Sequence, residues 1–66
     1  MQIGEQVQAR VDVTEEGFSA PARVHVHARE GERGEVVDVL GDGWVMVRWA
    51  RTGTIAQCDV SELETV

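Results

Sequence analysis

The chain has 66 residues, twelve Asp and Glu against six Arg, no Lys, and a net charge of −6. That length allows one domain, residues 1–66, and a domain of this size buries only about 60% of the surface its unfolded chain exposes. The acidic balance disfavours phosphate neutralisation, the single cysteine forbids an internal disulfide, and no apolar run approaches the roughly 20 residues of a membrane-spanning helix.

The first element is EQVQARVDVT, where Val7, Ala9, Val11 and Val13 alternate with Gln6, Gln8, Arg10 and Asp12. Period two with polar partners predicts one half-buried strand. TEEGFSAPA, residues 14–22, is a long polar loop broken by Gly17, Ser19 and Pro21. RVHVHA predicts a second short strand or extended arm, with Val24, Val26 and Ala28 on one face and Arg23, His25 and His27 on the other. REGERG is a charged turn at residues 29–34.

EVVDVL and WVMVRW are rich in β-branched and aromatic residues, and Gly41-Asp42-Gly43 between them supplies positive-φ positions for a tight hairpin. With Asp38 and Arg48 in water, Val37, Val39, Val45, Val47 and Trp49 are expected inside, and Trp44 and Met46 on the outer face beside Arg48. A turn at Ala50-Arg51-Thr52-Gly53 leads to TIAQC, with Ile55 and Gln57 opposite Ala56 and Cys58. In DVSELETV, Asp59 or Ser61 caps a single tight helical turn, and Leu63 and Val66 anchor a last short strand. Together these predict an all-β fold: a small five-stranded SH3-like barrel with a long first loop and one 3-10 turn before the last strand.

GEQVQARVDV, the long polar loop, GERGEVVDV and GTIAQCDVSELE together resemble the NifZ family of nitrogenase accessory proteins. The tail residues Gly53, Cys58, Glu62 and Leu63 match that family's Gly, Cys, Glu and Leu spacing. The outline is also similar to the variable (alpha) chain of ferredoxin–thioredoxin reductase, an SH3-like barrel that buttresses an iron–sulfur catalytic chain. GERGEVVDVLGDGWVMVRW fits the KOW segment of ribosomal and transcription proteins as well. The first two resemblances imply a non-catalytic accessory or stabilising subunit for an iron–sulfur, nitrogenase-type or redox enzyme. The third implies an RNA- or ribosome-associated module, which would need Arg10, Arg23, Arg29, Arg33, Arg48 and Arg51 to cluster.

No catalytic set is evident, and no cofactor is implied for the chain itself. His25 and His27, two apart on a strand, could reach one metal ion with Cys58 as third ligand, but no fourth ligand declares itself, and surface polarity explains the pair more simply. Cys58 precedes a helical turn, which would favour a reactive thiol, yet a free Cys in a small barrel more often fills space as an apolar group. The candidate partner-binding residues are Phe18, Trp44 and Met46, with Glu15, Glu16, Glu30 and Glu32, joined by Glu35, as an acidic rim that would suit a basic protein face. The absence of a basic or apolar start predicts a cytoplasmic protein, a monomer or one subunit of a hetero-complex.

Overall fold

The computed structural model describes residues 1–16 and 24–66, with side chains described for 1–13 and 26–66. The described residues form an all-β molecule: β1 (Gln6–Ala9), β2 (Val13–Glu16), β3 (Val24–Ala28), β4 (Arg33–Gly41), β5 (Trp44–Trp49), β6 (Ile55–Asp59), a 3-10 turn at Val60–Glu62, and β7 (Leu63–Thr65). Among the described residues no helix is long and apolar enough to cross a membrane. Five strands make one antiparallel sheet in the order β6-β5-β4-β1-β7, and β2 and β3 pair separately.

The 3-10 turn runs from one edge of that sheet to the other, from β6 to β7. Across a flat five-stranded sheet the edges would lie about 19 Å apart, at roughly 4.8 Å per spacing. The chain from Asp59 to Leu63 reaches about 14 Å at full extension, and less when wound as a 3-10 turn. The sheet therefore curls, bringing its edges toward each other, although no ladder joins β6 to β7 among the described residues. The turn is held by a capping box. The Ser61 amide donates to Asp59 Oδ1 (2.9 Å), and the Asp59 amide donates to Glu62 Oε1 (3.1 Å).

The concave side holds the core: Val7, Ala9, Val13, Ala28, Val36, Val45, Val47, Trp49, Ala56, Cys58 and Leu63. No polar or charged residue is buried among the described residues. The expected alternation holds for Ala56 and Cys58 inside against Ile55 and Gln57 outside.

Three expectations are corrected. The first strand is two strands. Val7, Ala9 and Val13 are buried but Val11 is exposed, because the chain leaves the main sheet at Arg10, whose amide donates to the Glu62 carbonyl (2.8 Å). Val13 then pairs with Ala28 in the second sheet, so the long first loop is built on the arms of a hairpin.

In β4 the buried valine is Val36; Val37 is half-buried, and Val39, though on the same face as Val45, is 45% exposed. The β4–β5 register shifts between Val36 and Asp38 and again between Val39 and Gly41. Each bulge adds one residue to β4 and reverses the alternation beyond it. Asp38 consequently pairs with Met46, and Val39 with Val45 near the open tip.

Finally, Leu63 is buried but Val66 is 52% exposed. Val66 is tied by its backbone instead, its amide donating to the Gln6 carbonyl (3.1 Å).

Candidate functional site

The β4–β5 hairpin turns at Asp42-Gly43, where φ is 54° and 83°. Two positive-φ residues match the right-handed twist of the flanking strands, and an Asp-Gly pair adopts them at low cost. This turn places Trp44 as the first residue of β5, directly opposite Gly41.

Directly opposed residues in an antiparallel ladder share a face. The registers of β4, β5 and β6 therefore lay out three outward rows: Gly41–Trp44–Asp59, Asp38–Met46–Gln57 and Glu35–Arg48–Ile55. Trp44 is 39% exposed, Met46 is half-buried, and Ile55 and the bulged Leu40 are each 48% exposed. An apolar column of Trp44 and Met46 thus runs along β5, with Asp38 and Glu35 on one side, Asp59 on the other and Asp42 at the tip. The Ser61 amide holds the Asp59 carboxyl below its ordinary pKa of 3.8, so this carboxylate is charged at neutral pH.

Trp44 and Met46 occupy the outer face expected of them. Of the expected acidic rim, Glu35 stands on this face, but Glu30 and Glu32 do not. Glu30 and Glu32 lie in the turn between β3 and β4, at the opposite end of β4 from Trp44, about 25 Å away along the strand. Glu32 is engaged within the chain. Its carboxylate accepts from the Arg29 amide (2.6 Å) and from Arg51 Nε (2.8 Å), tying the β3–β4 turn to the β5–β6 turn. These contacts, the Arg29 amide first, hold its carboxyl below the ordinary value of 4.5. Arg29 also lies 3.9 Å from Asp12, and the Glu30 amide donates to the Asp12 carboxylate (2.8 Å). Glu15 and Glu16 are placed by their backbone on β2, facing His25 and Val24. Phe18 lies outside the described residues.

Of the acidic residues that border the column, Glu35 belongs to the expected rim, whereas Asp38, Asp42 and Asp59 were not among the expected contacts. Counting outward from the Asp-Gly turn pairs Gly41 with Trp44. Past that point the bulges hide which β4 residue stands beside Met46.

His25 and His27 were expected to project from one side of β3. The β2–β3 register shifts between Val13 and Thr14, leaving His27 as the extra residue in β3. A bulge re-aims its side chain, and the side chain of His25 lies outside those described. His27 is half-buried. Among the described residues no three His, Cys, Asp or Glu side chains gather where they could hold a metal ion.

Cys58 is fully buried, and its thiol approaches the Ala56 carbonyl at 3.6 Å. Burial, reinforced by the Glu62 carboxylate, pushes its pKa from 9.0 up to about 11. The indole N–H of Trp49 is buried without a hydrogen bond of good geometry, and it pulls the thiol only weakly the other way. This setting is the reverse of one that activates a thiolate.

No protein-family model matches the chain, and neither a curated protein nor a solved structure matches it significantly; the likeness to NifZ, to the reductase variable chain and to KOW segments rests on the quoted residues alone.

Proposed function

We propose that this chain is a non-catalytic module that binds another protein through the outer face of the β4–β5 hairpin. The observation that carries this reading is the Trp44–Met46 column, a partly exposed Trp beside a half-buried Met with carboxylates on both flanks. Trp is enriched where interfaces derive most of their binding energy, and a rigid strand holds it at little entropic cost. The flanking acids and the net charge of −6 suit a partner with a basic surface, and would speed encounter more than they tighten the complex. An accessory or stabilising role beside a redox or iron–sulfur enzyme is one instance of this reading.

The test is site-specific photo-crosslinking in extract of the source cells, with the crosslinker at Met46 in one preparation and at Glu64 in another. A discrete adduct from position 46 that is lost on Trp44→Ala and weakened by salt is expected. Equal labelling from both positions, or adducts indifferent to Trp44→Ala, would rule the face out.

A further inference from the structure

The two edges of the main sheet are not alike. β7 is three residues long with Glu64 at its centre. Shortness and charge are two ways an edge is kept from pairing with another chain. β6 reads IAQCD, with no charge before its last residue and no proline. Its ladder with β5 runs in unbroken register, without the shifts that interrupt β2–β3 and β4–β5.

The hydrogen bonds fix which backbone groups of β6 are occupied. The Trp49 amide donates to Thr54 (2.9 Å) and the Val60 amide to Gly43 (2.8 Å), bracketing the ladder. Bonded pairs recur at every second residue of an antiparallel ladder, so Ala56 and Cys58 direct their amides and carbonyls at Val47 and Val45. The backbone groups of Ile55, Gln57 and Asp59 point away from β5. Glu62 occupies the Asp59 amide. Among the described residues no ladder lies beyond β6 and no hydrogen bond takes the outward groups of Ile55 or Gln57, and both side chains are exposed.

We propose that β6 is a strand-addition site, and that its occupant is an extended segment of a partner protein carrying a cationic residue next to Asp59. This rests on the reading of the chain as a binding module, but it uses the sheet's edge rather than its face. Main-chain bonds to Ile55 and Gln57 supply the pairing, and alternate side chains of the added strand extend the outward rows. The charge along β6 selects the occupant. Arg48 stands beside Ile55 at one end, while Asp59 stands at the other with Trp44 and the Asp42 turn beside it. A cation fits the Asp59 end and is repelled at the Ile55 end. A second copy of this chain would set −6 against −6, whereas a cationic strand meets the opposite charge.

The probe is a pair of synthetic peptides alternating valine or threonine with polar residues, with lysine at the amino end in one and at the carboxyl end in the other. Each is titrated into the ¹⁵N-labelled full chain. The expected result is that one peptide slows hydrogen exchange of the Ile55 and Gln57 amides at least tenfold, and that its glutamate version binds at least tenfold more weakly. Gln57→Pro removes one outward N–H at an edge position where proline is tolerated. It should weaken binding tenfold or more. Unchanged exchange at residues 55 and 57 at saturating peptide would overturn the proposal, as would equal binding of the glutamate version. Protection of Gln57 that rises with protein concentration alone would overturn it in favour of self-pairing. If Gln57→Pro does not fold, exchange in the unaltered chain decides by itself. Loss of peptide binding in Trp44→Ala with retention in Gln57→Pro would refute the edge and leave the face standing.

Discussion

Gly34 and Trp49 face each other across the β4–β5 ladder with no room for a side chain between them. A Cβ at position 34 would lie 2.6 Å from Val47 Cγ1, 2.8 Å from the Arg48 carbonyl oxygen and 3.0 Å from Trp49 Cε3. One of those neighbours is backbone and the other two belong to core side chains, so none yields cheaply. Gly34→Ala should destabilise the fold by about 1–3 kcal/mol, the range for overpacking a filled core. A domain of this length has on the order of 3–10 kcal/mol in all. Urea denaturation measures the change; a midpoint equal to that of the unaltered chain would show that the sheet gives way at this point.

The two tryptophans should respond in opposite ways. Trp49 is fully buried and Trp44 is 39% exposed. Trp49→Ala should cost about 3–5 kcal/mol, enough to unfold much of the population. Trp44→Ala should cost about 1 kcal/mol or less. In Trp44→Phe the remaining emission should be blue-shifted and shielded from acrylamide, whereas in folded Trp49→Phe it should be red-shifted and readily quenched. Equal quenching of both would mean that Trp44 is covered and unavailable to a partner.

Much of this fold was legible because the relevant forces are local. Alternation in IAQC and WVMVRW sorts Ala56, Cys58, Val45, Val47 and Trp49 inward. The Asp-Gly turn announces itself by its need for positive φ, and Asp59 with Glu62 three residues later is a capping signature. What stayed hidden was non-local. The β4 bulges depend on how that strand bends around the core, and the one nearer the turn decides that Asp38 rather than Val39 stands beside Met46. Nothing in the residue order says that Arg51 of one turn reaches Glu32 of another. The tail residues behind the family likeness have structural tasks here: Gly53 turns the chain at φ 72°, Cys58 and Leu63 fill the core, and Glu62 closes the cap. A likeness carried by such residues speaks to the fold before it speaks to a partner.

Two carboxylates link stability to acid. Glu32 and Asp59 both titrate below their ordinary values in the folded chain, held by the Arg29 and Ser61 amides first. A depressed carboxyl favours the fold when ionised, so its contribution is complete above the unfolded value, 4.5 for Glu32 and 3.8 for Asp59, and is lost as pH falls through the lower folded value. The urea midpoint should therefore hold near neutrality and drop below about pH 4.5. Glu32→Gln and Asp59→Asn should each lower the neutral midpoint and flatten the acid limb. For Glu32, added salt should shrink the difference, because its partner Arg51 is exposed. An acid limb unchanged in both variants would assign the pH dependence to other groups.

Cys58 links stability to base, with the opposite sign. Its folded pKa is raised from 9.0 to about 11, mainly by burial. The folded chain keeps the thiol protonated while the unfolded chain ionises it, so stability should decline as pH rises from about 9 toward about 11. In Cys58→Ala that portion of the alkaline decline should disappear, for a loss of about 1 kcal/mol at neutral pH. Buried reactivity follows the same logic. At pH 8 iodoacetamide should label Cys58 only through opening of the sheet, so the labelling rate should climb along the urea unfolding curve. Fast labelling of the native chain, or a thiolate absorbance titrating near the ordinary value of 9.0, would place the sulfur at the surface and reopen the thiol as a chemical site.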